Sequence, residues 1–375
     1  MALSFGFPRM HKEAGERRDF LPELVEFLGR IGAGPIVVEE GYGTDVGFTP
    51  ADYVAKHAQC RVGSYDECLA QDVVVVLRYP SEAAVSKLKR GAVLVSMVHL
   101  PTRPARVERL MELGIRAVSL DSIADDTGRR LVENLEAVGW GGLKSAFLAL
   151  KRTWPELEAP GRRPVRVLVL GAGAVGAHAM RAAAAWGDRA WRQRSVASGL
   201  RGVEVTVVDF DLTGDEAYVR GELAHTDVLV DATLRPDPSK PVIPNAWVGD
   251  LPRHAVMVDL SVDPYDFART PPQVKGIEGI PEGNLDQFEF GPDDPAWGKL
   301  DPHLDTRNRR TALSCYSWPG ILPRECMDKY GAQLQPVLRV LVEKGVDHLD
   351  ADTGTFFERA VARAEVSRWR RAHPR

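Results

Sequence analysis

Gly171, Gly173 and Gly176 stand in the spacing G-x-G-x-x-G. They directly follow an apolar run, 165–170 (VRVLVL), and lead into an alanine-rich stretch, 177–185, that contains no Pro or Gly. A strand buried on both faces, a glycine turn and a helix start, in that order, bring backbone N–H groups and the positive helix end to where a pyrophosphate can sit. Gly171 permits the tight turn, Gly173 leaves room for the phosphates, and Gly176 lets the helix pack close to the strand. Ala174 and Val175 fill the rest of the turn. Asp209 closes the next apolar run, 203–208 (VEVTVV), where a carboxylate accepts from an adenosine ribose 2′-OH and repels a 2′-phosphate. That favours NAD over NADP. The spacing to Asp209 exceeds the usual one by roughly a dozen residues, and the excess, 187–202 (GDRAWRQRSVASGLRG), reads as a surface insertion. Elsewhere, His99 follows the apolar run 92–98, so it sits at the carboxyl end of a strand, and a histidine's ordinary pKa suits proton transfer near neutrality. Arg17, or Arg18 if the register slips by one, lies in the loop after the first strand, where a guanidinium can grip a carboxylate bidentately. A hydride acceptor, a cation for a carboxylate and an acid/base for an ammonium and an imine are the parts that oxidise an amine beside a carboxylate.

The elements that position these groups alternate. Residues 2–7, 35–39, 72–77, 92–98 and 116–120 read as strands, and 20–31, 50–57, 81–89 and 103–113 as helices between them. Such a βα repeat calls for a parallel sheet with helices on both faces. Residues 130–152 have helical periodicity and lead to a second domain, and 154–164 form a loop into the glycine strand. After Asp209 the pattern resumes with strands at 226–232, 255–260 and 311–316, a Pro-rich loop at 236–244 and a loop-like stretch at 276–305. Two long amphipathic helices, 326–344 and 353–372, close the chain and return to the first domain. The fold expected is α/β: two Rossmann-like doubly wound domains with a cleft between them, one of residues 1–135 plus 325–375 for substrate and one of 136–324 for NAD.

At 375 residues, 44% hydrophobic, 27% charged and with a net charge of −4, the chain can bury two cores and has no charge excess that points to nucleic acid. No run approaches the ~18 apolar residues of a membrane span, and no signal-peptide pattern opens the chain. Four cysteines without metal-ligand spacing suit a reduced, cytoplasmic protein with no metal.

Several motifs now add up. Pro8, Arg17 and Pro22 keep the spacing of a P-K-E…R-x-A-L-T-P signature. Residues 41–53 (GYGTDVGFTPADY) are similar to G-A-G…G-F-x-D-x-x-Y, and 94–100 (LVSMVHL) to a Y-L-H-L segment. Residues 257–263 (MVDLSVD) are similar to V-D-V-S-A-D and 318–324 (WPGILPR) to M-P-G-A-V-P-R. In this order, over nearly the whole chain, they resemble the family of alanine dehydrogenases, transhydrogenase subunits and lysine-forming saccharopine dehydrogenases. Residues 125–130 (DDTGRR) resemble the saccharopine dehydrogenases' D-x-G-x-R, and the glycine-rich loop that alanine dehydrogenases carry before the nucleotide domain is absent, so the saccharopine side is favoured.

The resemblance implies roles. His99 falls at the catalytic histidine, and Asp263 near the nicotinamide end. The loop that holds Thr233, Leu234 and Arg235 passes over the cofactor, and Arg129 and Arg130 join Arg17 and Arg18 as carboxylate binders. Arg78 falls where the family has a catalytic lysine, in L-R-Y-P against V-K-E-P. A guanidinium does not readily give up a proton, so Arg78 can bind a carboxylate but not shuttle a proton. The function implied is an NAD-dependent oxidoreductase acting on the C–N bond of an amino acid, of saccharopine or opine type. One alternative is an alanine dehydrogenase that uses pyruvate and ammonia. Another is a non-catalytic NAD(H)-binding regulator, which Arg78 keeps open. The partners expected are a small amino acid or 2-oxo acid, with no nucleic acid and no membrane, and the reading leaves room for a homo-oligomer.

Overall fold

The computed structural model describes residues 2–374. The chain divides into two compact units, Met1–Asn134 with Leu322–Arg375, and Leu135–Ile321. Each is built on a six-stranded, mainly parallel sheet of Rossmann-like character.

The first sheet contains β1 (Phe5–Phe7), β2 (Ile36–Glu39), β3 (Cys60–Gly63), β4 (Val73–Arg78), β5 (Val93–Met97) and β6 (Arg116–Ser119), all parallel, in the order β3-β2-β1-β4-β5-β6. Central strands such as β4, Val-Val-Val-Val-Leu-Arg, are buried up to their last residue, as β-branched runs covered on both faces are. The strand order reverses between β1 and β4, and such a reversal opens a crevice at the carboxyl ends of the two strands. On one face the helix Pro22–Arg30 buries Leu24, Val25, Phe27 and Leu28. The helix Pro323–Lys344 returns from the far end of the chain to bury Met327, Leu334, Val337 and Leu338 in the same core.

Three sequence expectations change in this unit. β3 was not foreseen, because Cys-Arg-Val-Gly is a short edge strand with Arg61 and Val62 exposed and lacks an apolar run. The helix expected at 130–152 begins only at Leu135; before it the chain is irregular, with Leu131 N donating to Ile123 O and Gln333 clasping both backbone groups of Glu133. The single helix expected at 353–372 is two, Phe356–Arg363 and Val366–Ala372. The break falls where Ala364 O accepts from Ser119 N of edge strand β6. There Glu365, fully buried, pairs with Arg116 at 2.9 Å and caps the next helix by accepting from Arg368 N.

Asp19, in the loop after β1, gives this unit a measurable pH signature. Its Oδ2 accepts from Gly43 N at 2.9 Å and from Arg9 Nε at 3.3 Å, yet burial outweighs both and pushes the carboxyl up to about 6. The folded state therefore binds more protons than the unfolded chain between about pH 4 and 6. The stability this group contributes is complete below that window and is lost as pH rises through it. Asp19→Asn is expected to gain on the parent across the window by about 3 kcal/mol, read from urea unfolding at several pH values.

The second sheet contains β7 (Val165–Leu170), β8 (Val203–Val208), β9 (Val228–Asp231), β10 (Val256–Asp259), β11 (Glu289–Phe290) and β12 (Thr311–Ser314). Its order is β8-β7-β9-β10-β12-β11, parallel except for β11, with the reversal between β7 and β9. The stretch 276–305 is irregular as expected, apart from β11, which covers the sheet edge at β12, and one helical turn, Pro295–Lys299. The stretch 187–202 is more than a surface insertion. It folds as a helix, Arg189–Ala197, capped by Asp188, and Trp191 packs edge-on against Phe147 and Trp186 at centroid distances of 6.3 and 5.5 Å.

Candidate active site

In the second unit, β7 runs into Gly171, whose φ of +97° is a left-handed value that favours glycine. A Cβ there would lie 2.6 Å from Ala232 O, and one on Gly176 would lie 1.9 Å from Gly171 O. Gly173 faces open space. The helix Ala174–Ala184 starts at Gly173 without a side-chain cap, so the N–H groups of Ala174, Val175 and Gly176 are available to an anion. Asp209 lies just past β8, exposed, with Oδ1 accepting from Ala172 N at 3.2 Å, which holds the carboxylate beside the turn. An open cavity of about 420 Å³ is lined by Gly171, Asp209, Phe210, Thr233, Leu234 and Trp247, among others. Leu234 is 95% and Phe210 82% exposed, two apolar side chains held in water beside the glycine turn. Phe210 escaped the sequence reading because an aromatic within V-V-D-F-D looks like core.

The ends of β9 and β10 hold a buried polar chain that the sequence did not disclose. Thr233 donates through N and Oγ1 to Asp231 Oδ1, at 3.0 and 2.7 Å. Ser261 Oγ lies 3.1 Å from Asp231 and 2.9 Å from Asp259, and Lys275 Nζ lies 2.7 Å from Asp259 Oδ2. Burial, with Asp259 beside it, pushes the Asp231 carboxyl up. Burial would do the same to Asp259, but the Lys275 ammonium holds it below the usual range. Asp263 is half-buried, accepts from Arg235 Nη2 at 2.8 Å and does not line the 420 Å³ cavity.

In the first unit, His99 leaves β5 with φ of +61°, uncommon for a side chain of this kind. Asp121 explains it. Its Oδ1 accepts from His99 N at 3.2 Å and from Ser119 Oγ at 2.9 Å, and its Oδ2 lies 3.2 Å from His99 Nδ1. Burial would raise the Asp121 carboxyl, but the His99 and Ser119 contacts outweigh it and hold the group below the usual range. With Nδ1 engaged and 48% of its side chain exposed, His99 keeps Nε2 for another partner. Its cavity, about 670 Å³, also takes in Arg130, Arg363, Trp369 and His373.

The arginines separate. Arg78 ends β4 half-buried, with Nη2 3.7 Å from Glu13 Oε1, and lines a cavity of about 130 Å³ with Lys12 and Tyr79. Arg18 is the buried member of its pair, its side chain 3% exposed and its guanidinium forked onto Glu16 at 2.7 and 2.5 Å, whereas Arg17 is exposed. Arg129 and Arg130 sit on an exposed turn organised by Asp125, whose Oδ1 accepts from Thr127 N, Thr127 Oγ1 and Arg129 N. Of these two, Arg130 lines the His99 cavity and Arg129 lines none of the cavities described.

Two Rossmann-like units, the second opened by a glycine turn, define a class of two-domain, dinucleotide-fold proteins. Residues 7–136 match the alanine dehydrogenase/PNT N-terminal domain and 157–265 the alanine dehydrogenase/PNT C-terminal domain. Together these matches take in more than half of the chain, and the chain belongs to the alanine dehydrogenase/PNT family. It is 26% identical over 287 residues to the alanine dehydrogenase of Mycobacterium tuberculosis H37Rv, covering 70% of this chain and 73% of that one. It is 21% identical to the NAD(P) transhydrogenase subunit alpha of Haemophilus influenzae, covering 93% and 68%. The fold is that of a solved L-alanine dehydrogenase, with a TM-score of 0.72, 20% identity and coverage of 97% and 94%. These relatives support the alanine dehydrogenase alternative better than the saccharopine type expected from the sequence. The segment 125–130 that favoured the latter is accounted for by its Asp-capped turn. Among the described residues, no helix is long and apolar enough to cross a membrane.

Proposed function

We propose that the chain is an NAD-dependent dehydrogenase of alanine dehydrogenase type, interconverting an amino acid with its 2-oxo acid and ammonia. The observation that carries this reading is the His99–Asp121 pair at the carboxyl end of the first sheet, where the sequence resemblance puts the family's catalytic histidine. The unit Leu135–Ile321 would bind the dinucleotide. Gly171–Gly176 and the uncapped helix fit its pyrophosphate, and Asp209 fits the ribose 2′-OH. Thr233 and Leu234 border the same space, and Asp263, through its pair with Arg235, fixes the loop that carries them. In the aminating direction the oxo oxygen would leave as water, nitrogen would bond to the same carbon, and a bound NADH would furnish the hydride for that carbon.

The other unit would supply the rest. His99 Nε2 takes a proton from the substrate ammonium during oxidation and returns it during amination, with Asp121 fixing the ring and stabilising the imidazolium. Arg78 offers its guanidinium to the substrate carboxylate, with Arg17 and Arg130 at the exposed margin, while Arg18 is held by its fork onto Glu16. Because Arg78 cannot relay a proton, that task falls to His99. NADH oxidation by 2-oxo acids with ammonium tests the reading, with lysine in place of ammonium as the contrasting arm. Turnover with ammonium is expected. Turnover only with lysine, or none with NADH bound, would contradict it. Asp209→Asn is expected to shrink the preference for NADH over NADPH by about tenfold or more, because the carboxylate that repels the 2′-phosphate is gone.

Arg78 also favours a second reading, an NAD(H)-binding regulator without catalysis. Arg78→Lys distinguishes the two. A strong gain of turnover would mark a degenerate site, and loss of existing turnover a specialised one.

A further inference from the structure

The crevice at the β1/β4 reversal collects positive charge. The loop after β1 brings Lys12 and Glu13, and β4 brings Arg78 and then Tyr79, all lining the 130 Å³ cavity. Behind Tyr79, Arg106 on the helix Pro104–Glu112 places its guanidinium 4.5 Å from the ring centroid and donates to Val98 O at 3.2 Å, one residue before His99. Other cations near the cavity are matched. Arg9 pairs with Asp19 and Asp45, and Arg18 is forked onto Glu16. Lys12 and Arg106 are not matched: among the described residues no carboxylate lies within 4.0 Å of either, and Glu13 leans to Arg78. Glu13 and Glu82 face Lys12, Arg78, Arg103 and Arg106, so positive charge is in excess. Partial desolvation first, and neighbouring cations second, hold Lys12 and Arg106 below their usual ranges.

We infer that this crevice takes a substrate with a second carboxylate, a 2-oxo diacid of four or five carbons or the dicarboxylic amino acid formed from it, whose distal group meets Lys12, with Arg106 adding positive charge from behind Tyr79. The inference rests on the dehydrogenase reading above and narrows its substrate class. One guanidinium suffices for the carboxylate every amino acid carries, and the extra pair of cations, on the β1 and β5 sides of Arg78, is the feature a monoacid leaves unused. A crevice at a strand-order reversal is where an open α/β sheet places its ligand.

Two measurements on the full chain test it. The first compares kcat/KM for 2-oxo diacids and 2-oxo monoacids of equal length, with ammonium and NADH. The second compares calorimetric binding of glutarate and pentanoate, which cannot react, to the NADH-bound protein. The diacid is expected to win by at least tenfold in both, and Lys12→Gln to narrow both ratios. Glutarate binding no tighter than pentanoate overturns the inference, whether or not any oxo acid turns over. Glutarate preferred with no turnover of any oxo acid overturns the dehydrogenase reading and leaves the anion site standing.

Discussion

His99→Asn is expected to lower kcat by about 10²–10⁴-fold, the range general acid–base catalysis supplies, while thermal stability stays close to that of the parent. Asparagine is chosen because His99 has φ of +61°, a conformation asparagine adopts more readily than most residues. The backbone N–H that donates to Asp121 Oδ1 survives the change, so the turn after β5 keeps its anchor. What is lost is the ring and its Nε2. Because Arg78 cannot move a proton, the residue at the family's lysine position does not take over. The loss should fall on kcat rather than KM, since neither the Arg78–Glu13 contact nor the Arg18–Glu16 fork involves His99. Steady-state kinetics with a thermal melt on the same preparation check both parts.

Lys275→Met is expected to cost about 3–5 kcal/mol of stability, because it strands a buried carboxylate. Asp259 Oδ2 lies 2.7 Å from Lys275 Nζ with both side chains buried, and Ser261, Ser314 and Val262 N only share the charge. Asp231 is bridged to Asp259 through Ser261, so loss of the ammonium leaves two carboxylates in one buried chain. Urea unfolding of the variant reads the loss. Asp259→Asn in the same background should recover part of it, because the uncompensated charge is then removed.

What could be read from the sequence follows from how local each feature is. The turn 171–176 is determined within a dozen residues of chain, since the Val-rich run, the three glycines and the alanine helix each act on their neighbours. His99 was legible for the same reason, as the residue that ends an apolar run. Its partner was not. Asp121 reaches His99 only because β5 and β6 lie side by side, a pairing no spacing in the sequence encodes. The Asp259–Lys275 pair was hidden likewise, since Lys275 comes from an irregular stretch that looked like surface. The division at Glu365 needed knowledge of the β6 edge, whose open hydrogen bonds interrupt what is otherwise a continuous helical pattern. The preference for a saccharopine type came from an absent glycine-rich loop and from six residues, 125–130, whose Asp125 and Gly128 are set by the demands of a turn.

Hydride transfer to the carbon that gains nitrogen is the central step of the proposed reaction. The direct measurement is incubation with a 2-oxo acid, ammonium and NADH deuterated at the transferable position of its nicotinamide, followed by mass spectrometry of the amino acid formed. The expected product of that transfer is an amino acid with a single deuterium on its α-carbon. An α-carbon free of deuterium, or no amino acid at all while NADH is bound, would contradict it.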